Sequence, residues 1–276
     1  MADRPSILVF DSGLGGLTVF RAVRALRPDA AFTYAADDAG FPYGPLPPEA
    51  LVERVTDVLG ELIGRHRPDL VVIACNTAST LVLPPLRAAH PALPFVGTVP
   101  AIKPAAAQSR TGLVSVLATP GTVRRDYTHE LVARHADNCD MTLVGAPRLA
   151  SVAEDFLRGR GVDEAVVAAE LAPCFVEKGS ARTDTVVLAC THYPLLLDAM
   201  RRLSPWPVSW VDPAPAIARR VETLLGARFP RGGGARLGRA VFTSGARPEG
   251  ALRDALERFG LRCDGADAPR AALTGT

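Results

Sequence analysis

Apolar positions along the chain switch repeatedly between short β-branched runs and longer stretches with helical spacing. Residues 6–10 form a brief apolar strand, and after a glycine turn Leu17, Phe20, Val23 and Leu26 recur at helical intervals. Residues 31–36 predict a second strand. Leu51, Val52, Val55, Val58, Leu59, Leu62 and Ile63 draw the buried stripe of an amphipathic helix over residues 49–66. The run from Asp69 to Ala74 predicts a buried parallel strand, followed by a helix from Thr77 that Pro84 and Pro85 break or re-register. Further strands are predicted over residues 95–98, 111–118, 141–145, 185–189 and 208–211, and a last one over 240–243. Helical stretches follow Thr122, contain Glu154 and Asp155, cover most of 162–178 with a disturbance at Pro173, and begin at Tyr193-Pro194. One more runs from Asp212-Pro213 to about Leu225, and the last covers 247–259. The sequence predicts a flexible Gly-rich linker over residues 231–235 and a loose tail from Asp264.

Repeated strand–helix alternation predicts an α/β fold with parallel sheets. One pattern occurs twice. Asp69-Leu-Val-Val-Ile-Ala-Cys75-Asn76-Thr77 is echoed by Asp184-Thr-Val-Val-Leu-Ala-Cys190-Thr191-His192. The chain therefore reads as two similar lobes, each a mostly parallel sheet flanked by helices, with the active site in the cleft between them. The division expected is residues 1–98 plus 208–276 for the first lobe and 99–207 for the second, with hinge points near Thr98 and Val208.

In each copy of the repeat the cysteine falls where a strand ends and a helix begins. Ligands of open α/β sheets bind at that rim. A thiol at a helix N-terminus gains thiolate character. Two thiols on opposite sides of one tetrahedral carbon can remove a proton from one face and return it to the other, which is two-base racemisation. Asp11, Glu154 and His192 are the candidates for setting which thiol is ionised. A single cysteine nucleophile assisted by His192 is a second use of these residues. A redox disulfide would close the gap that a substrate needs.

Asp11-Ser12-Gly13-Leu14-Gly15-Gly16 is a strand–turn–helix junction without the glycine spacing of a dinucleotide site. Asp11 would also repel a pyrophosphate. The Pro- and Gly-rich loop over residues 37–48 is long enough for a functional lid, and Tyr43-Gly44 offers a hydroxyl and an unhindered backbone N–H. Cys139, Cys174 and Cys263 read as inert packing residues.

Composition narrows the field modestly. The chain has 276 residues, 48% hydrophobic and 22% charged, with a formal net charge of +2 and no basic stripe, so nucleic acid is not expected as a partner. No apolar run reaches the length of a membrane span, and the start lacks a signal-peptide pattern, so a cytoplasmic location is expected, where thiols stay reduced. The five cysteines form no C-x-x-C pair, which leaves no zinc or redox motif.

With these residues assembled, the chain resembles the glutamate racemases of the cofactor-independent aspartate/glutamate racemase superfamily. The resemblance covers roughly residues 7–225. It rests on the Asp11–Gly16 turn, Pro42-Tyr43-Gly44, Cys75-Asn76-Thr77-Ala78, Val99-Pro100-Ala101-Ile102-Lys103-Pro104 and Cys190-Thr191-His192-Tyr193-Pro194. It implies interconversion of L- and D-glutamate to supply peptidoglycan synthesis, with no cofactor and no metal, by a homodimer. It further implies that Cys75 deprotonates D-glutamate and Cys190 deprotonates L-glutamate. Asp11, Ser12, Tyr43, Gly44, Asn76, Thr77, Thr119, Thr122, Thr191 and His192 would contact substrate.

Two departures stand out. Arg124-Arg125-Asp126 follows the Thr122 turn where the family carries a serine, and the Leu149–Ala153 stretch before Glu154 is less apolar than is usual. Because few residues precede the first strand, no site for a cell-wall-precursor activator is expected. The rival readings are an aspartate or hydantoin racemase of the same superfamily, a two-lobed binding module without chemistry, and a nucleotide enzyme. Paired cysteines speak against the binding module, and the glycine spacing speaks against the nucleotide enzyme.

Overall fold

The computed structural model describes residues 4–263 except 227, 230, 231 and 233. The residues before Arg4, the tail from Asp264 and part of the Gly-rich linker therefore lie outside the described residues. The first half runs β1 (Ser6–Asp11), α1 (Leu17–Leu26), β2 (Ala31–Ala36), α2 (Pro48–His66), β3 (Leu70–Ile73), α3 (Asn76–Ala89) and β4 (Phe95–Gly97). The second runs α4 (Ile102–Gln108), β5 (Leu113–Ala118), α5 (Pro120–Val123), α6 (Asp126–His135), β6 (Asp140–Gly145), α7 (Leu149–Leu157), α8 (Glu164–Leu171), β7 (Glu177–Lys178), β8 (Ala181–Arg182), β9 (Thr185–Ala189), α9 (Leu197–Leu203) and β10 (Ser209–Val211). The chain closes with α10 (Ala214–Gly226), β11 (Gly238–Phe242), α11 (Gly250–Phe259) and β12 (Leu261–Arg262).

Two parallel sheets result, with strand orders β12-β11-β2-β1-β3-β4 and β10-β9-β5-β6, beside a small antiparallel β7–β8 hairpin. The order β2-β1-β3-β4 of one sheet repeats as β6-β5-β9-β10 in the other, so the halves are built to one plan. Each sheet is covered on both faces. Ile7 and Val9 of β1 enter a core with α1 and α10, while Leu8 and Phe10 enter one with α2 and α3. In β9, Val186 and Leu188 face α7 and α8, while Val187 and Ala189 face α4. Burial on both faces is why these strands are unbroken β-branched runs rather than alternating ones.

Sheet pairing corrects several expectations. The sequence division puts residues 208–211 in the first lobe, but Ser209 pairs with Thr185 and Val211 with Val187 at the edge of the second sheet. This strand supports β9 as β4 supports β3, and the chain crosses back only afterwards, when α10 packs on α1 through Ile217 and Val221. Helix α3 is not broken at Pro84 and Pro85. The prolines remove two backbone donors, yet Val82 and Leu86 anchor the turn in the core on either side. The helix expected over 162–178 ends at Leu171; one 3-10 turn follows at Ala172–Cys174, then the hairpin. The strand ending at Phe242 is not the last, because β12 pairs beyond it. Among the described residues no helix is long and apolar enough to cross a membrane.

Candidate active site

Parallel register brings the functional groups to one place. Phe10 lies beside Ile73 and Ala118 beside Ala189, so Asp11 and Cys75 leave the rim of one sheet as Thr119 and Cys190 leave that of the other. The two rims enclose a cavity of about 30 Å³. Its walls include Cys75 and Cys190 together with Ser12, Tyr43, Gly44, Asn76, Thr77, Thr119, Thr191 and His192. Asp11, Thr122 and Glu154 lie directly behind this wall, each bonded to one of its residues.

Cys75 occupies the N-cap position of α3 and is 5% exposed. Its Sγ donates to Ser12 Oγ at 3.7 Å. The helix end taken alone predicts thiolate character. Instead, burial and the nearby Asp11 carboxylate push the thiol up to about 12, outweighing the opposing Ala78 N–H and Ser12 hydroxyl. Cys75 is therefore held as a neutral acid. Asp11 is fully buried and accepts from Gly13 N–H at 3.1 Å and from Thr191 Oγ1 at 3.1 Å in the opposite lobe. Burial raises its carboxyl above the ordinary value, opposed by the charge of His192, the N–H groups of Gly13 and Gly16 and the Thr191 hydroxyl.

Cys190 meets a different neighbourhood. Its Sγ lies 3.8 Å from His192 Nδ1, and His192 Nε2 lies 3.0 Å from Glu154 Oε1. Burial works against charge on His192, but the contacts with Cys190 and Glu154 win and raise its pKa well above 6.5. Burial likewise works to raise the Glu154 carboxyl, yet the hydrogen bond and charge of His192 hold it below its ordinary value. Both shifts describe an imidazolium–carboxylate pair. Glu154 also accepts from Leu14 N–H at 2.6 Å, and its other oxygen meets Arg158 at 3.2 Å.

The glycine turn exists for this packing. A Cβ on Gly13 would stand 2.4 Å from Glu154 Oε1, and one on Gly15 would stand 2.4 Å from His192 Nδ1. Across the cavity, the hydroxyls of Thr77, Thr119 and Thr122 lie 3.0–3.2 Å apart in a closed triangle. Asn76 is 2% exposed, and both polar atoms of its amide are buried without a hydrogen-bond partner in the protein. Such a group is costly unless something enters to bond it.

Two placements differ from expectation or have no signal in the sequence. Tyr43 lines the cavity, but its hydroxyl donates to Asp37 rather than standing free. Phe41, Pro42 and Ala150 also form wall, with the Phe41 ring 5.5 Å from that of His192. Pro42 belongs to the Pro42-Tyr43-Gly44 motif, but Phe41 and Ala150 carry no polar signature in the sequence, so nothing there distinguishes them from core. Cys139, Cys174 and Cys263 do not line the cavity, and Cys174 is pushed up to about 12 by burial alone.

Comparison with known proteins shows which chains this one is similar to. The family model described as Asp/Glu/Hydantoin racemase matches residues 18–221. The glutamate racemase of Brucella ovis is 56% identical over 260 residues, 94% of each chain. Escherichia coli glutamate racemase, solved in complex with L-glutamate and the activator UDP-MurNAc-ala, superposes with a TM-score of 0.84 at 40% identity, covering 95% of this chain and 97% of that one. Glutamate racemase from Thermus thermophilus in complex with β-chloro-D-alanine superposes with a TM-score of 0.72 at 30% identity, covering 96% and 97%.

Proposed function

The chain belongs to the Asp/Glu/Hydantoin racemase family and is an isomerase, and from that premise we propose that it interconverts L- and D-glutamate without a cofactor, supplying D-glutamate for peptidoglycan. The observation that carries this reading is the placement of Cys75 and Cys190 on one cavity, at equivalent rims of two sheets. Racemisation needs a proton to leave the α-carbon on one face and another to arrive on the opposite face. Two opposed thiols do this by general acid–base catalysis. With L-glutamate bound, the Cys190 thiolate takes the α-proton and the Cys75 thiol delivers its own proton to the other face. D-glutamate reverses the roles. Each conversion leaves one thiol and one thiolate, exchanged between the two sites.

The surrounding groups suit a dicarboxylic amino acid. The Asn76 amide has an unbonded donor and acceptor, the threonine triangle offers hydroxyls, and the N-terminus of α3 presents backbone N–H groups favourable to an anion. His192 and Glu154 act on Cys190 without touching the reacting carbon. The cavity is small, about 30 Å³, and on this reading the cleft opens to admit glutamate, the opening being taken up where the chain crosses near Thr98 and after Val211.

Proton NMR of L- and of D-glutamate incubated with the protein in D2O tests the reading. Loss of the α-proton signal with inversion of configuration is expected from either enantiomer. Exchange of aspartate or of a hydantoin with glutamate untouched would keep the two-thiol chemistry and replace the substrate. A folded, reduced protein that exchanged none of them would sink the proposal.

A further inference from the structure

We propose that Asp37 is a positioning residue for this reaction, clamping the loop that carries Tyr43 so that one wall of the cavity is held in place. Asp37 directly follows β2 and is 0% exposed. Three separate segments converge on its carboxylate. Arg54 of α2 grips it as a fork, Nε to Oδ2 and one terminal nitrogen to Oδ1, both at 2.7 Å. Thr243, just past β11, donates its hydroxyl to Oδ1 at 2.6 Å. The Tyr43 hydroxyl donates to Oδ2. Burial, and next the charge of Asp37, push the Tyr43 hydroxyl well above 10, so it stays the donor.

The rest of the loop is built around the same carboxylate. Gly40 crosses it so closely that a Cβ there would stand 2.1 Å from Arg54 Nε and 2.8 Å from Asp37 Oδ2. Ala39 N–H bonds Thr243 Oγ1 at 3.2 Å, and Ser244 N–H bonds Asp38 at 2.9 Å. The backbone N–H of Asp37 donates to the Asp11 carbonyl at 2.8 Å, tying the clamp to the catalytic rim. At its far end the loop touches the other lobe, where a Cβ on Gly121 would meet the Gly44 carbonyl at 2.9 Å. Phe41 stands beside His192, and Tyr43 packs in the same cluster as Cys75. A loop of this length without such a clamp would sample many conformations. Charge-assisted hydrogen bonds to a buried carboxylate are strong and geometrically specific.

The clamp's role rests on the glutamate racemase reading, because its readout is glutamate turnover. The test uses Thr243→Val and Tyr43→Phe, each of which removes one donor and keeps the shape, and Thr243→Ser as the rescue. Thr243 is not part of the cavity wall, so any effect it has on substrate must travel through the groups its hydroxyl bonds, chiefly Asp37 and with it the loop residues Asp38 and Ala39. Expected results are a KM for glutamate raised about ten-fold in Thr243→Val, with kcat within about three-fold of wild type, and recovery of KM in Thr243→Ser. Tyr43→Phe should raise KM as well, and combining it with Thr243→Val should cost less than the product of the two effects, as for residues acting through one partner. A Thr243→Val protein with the wild-type KM, or a double variant showing the full product, overturns the clamp. A wild-type protein that turns over no glutamate would overturn the proposed function instead.

Discussion

Cys75 leaves its strand with Asp11 and Ser12 for neighbours, whereas Cys190 leaves the equivalent strand with His192 and Glu154. The backbone plan of the two rims is shared, strand for strand. The residue two positions beyond the cysteine is Thr77 in one and His192 in the other, and the consequences differ accordingly. Thr77 joins a neutral hydroxyl triangle, while His192 becomes one half of a buried ion pair. One thiol is pressed toward its neutral form by burial and a carboxylate. The other faces a proton donor across 3.8 Å. A symmetric frame thus carries asymmetric side chains, and under the proposed two-thiol chemistry this difference is what sets the surroundings of one sulfur apart from those of the other.

The hardest blow to this comparison is removal of either sulfur. Cys75→Ala and Cys190→Ala should each lose about 10³-fold in racemisation, about 4 kcal/mol of transition-state stabilisation. The residual chemistry distinguishes them. Cys75→Ala should exchange the α-proton of L-glutamate slowly with retention, and Cys190→Ala that of D-glutamate, both read by NMR in D2O. The reverse pattern would exchange the assigned faces, and racemisation near the wild-type rate in either variant would remove two-thiol chemistry altogether.

The next test acts on the base side. His192→Gln keeps a hydrogen-bonding group and removes the charge, and should slow turnover of L-glutamate about 10²-fold. The pKa of His192 is raised in the folded protein, so its charged form persists below that raised value and is lost as pH rises through it. Wild-type turnover should therefore show an alkaline limb that the Gln variant lacks. Linkage has the same sign: the stabilisation from this group is complete below about 6.5 and fades as pH rises through the folded-state pKa. A Gln variant retaining the limb would place it on another group.

The asymmetry of the two rims is partly legible in the sequence. The paired cysteine strands, Asp11 and the glycine turn announce themselves because buried parallel strands are β-branched and strand–turn–helix junctions have few chemical solutions. His192 is visible as a neighbour in sequence of Cys190, and Glu154 as an acid on a helix, but their meeting depends on α7 packing against the Gly13–Gly15 turn. Strand partners carry no local code, which is why the sequence pattern puts residues 208–211 with the wrong sheet. Two-residue strands such as β7, β8 and β12 are too short to have a period. Asp37 leaves no trace as a clamp, because its partners Arg54 and Thr243 lie far along the chain in different segments.

A milder change sharpens the same side. Glu154→Gln leaves an acceptor for His192 and Leu14 but takes away the anion that helps raise the imidazole. Turnover should fall about ten-fold, and the alkaline limb should move to lower pH, because the partner that favours the charged ring is gone. An unmoved limb in a pH profile of kcat would mean that Cys190 and Asp11 alone hold the charge on His192.

The smallest expected effect comes from the acid side, where the partner is neutral. Ser12 Oγ accepts from Cys75 Sγ at 3.7 Å, a weak contact, and this hydroxyl works to lower the thiol against the larger effect of burial. Ser12→Ala should push Cys75 further toward its neutral form. That hinders the direction in which Cys75 must be a thiolate, so kcat from D-glutamate should fall roughly two- to five-fold while kcat from L-glutamate holds, on the scale of one lost neutral hydrogen bond. Enantiomers have equal free energy in water, so kcat/KM in the two directions must stay equal in every variant. The change in kcat from D-glutamate must then be matched by its KM, and the asymmetry is visible only when both constants are measured in both directions. An equal fall in kcat from either side would mean that Ser12 holds substrate rather than tuning the thiol, and the contrast between the two rims would then rest on Asp11 on one side and on His192 with Glu154 on the other.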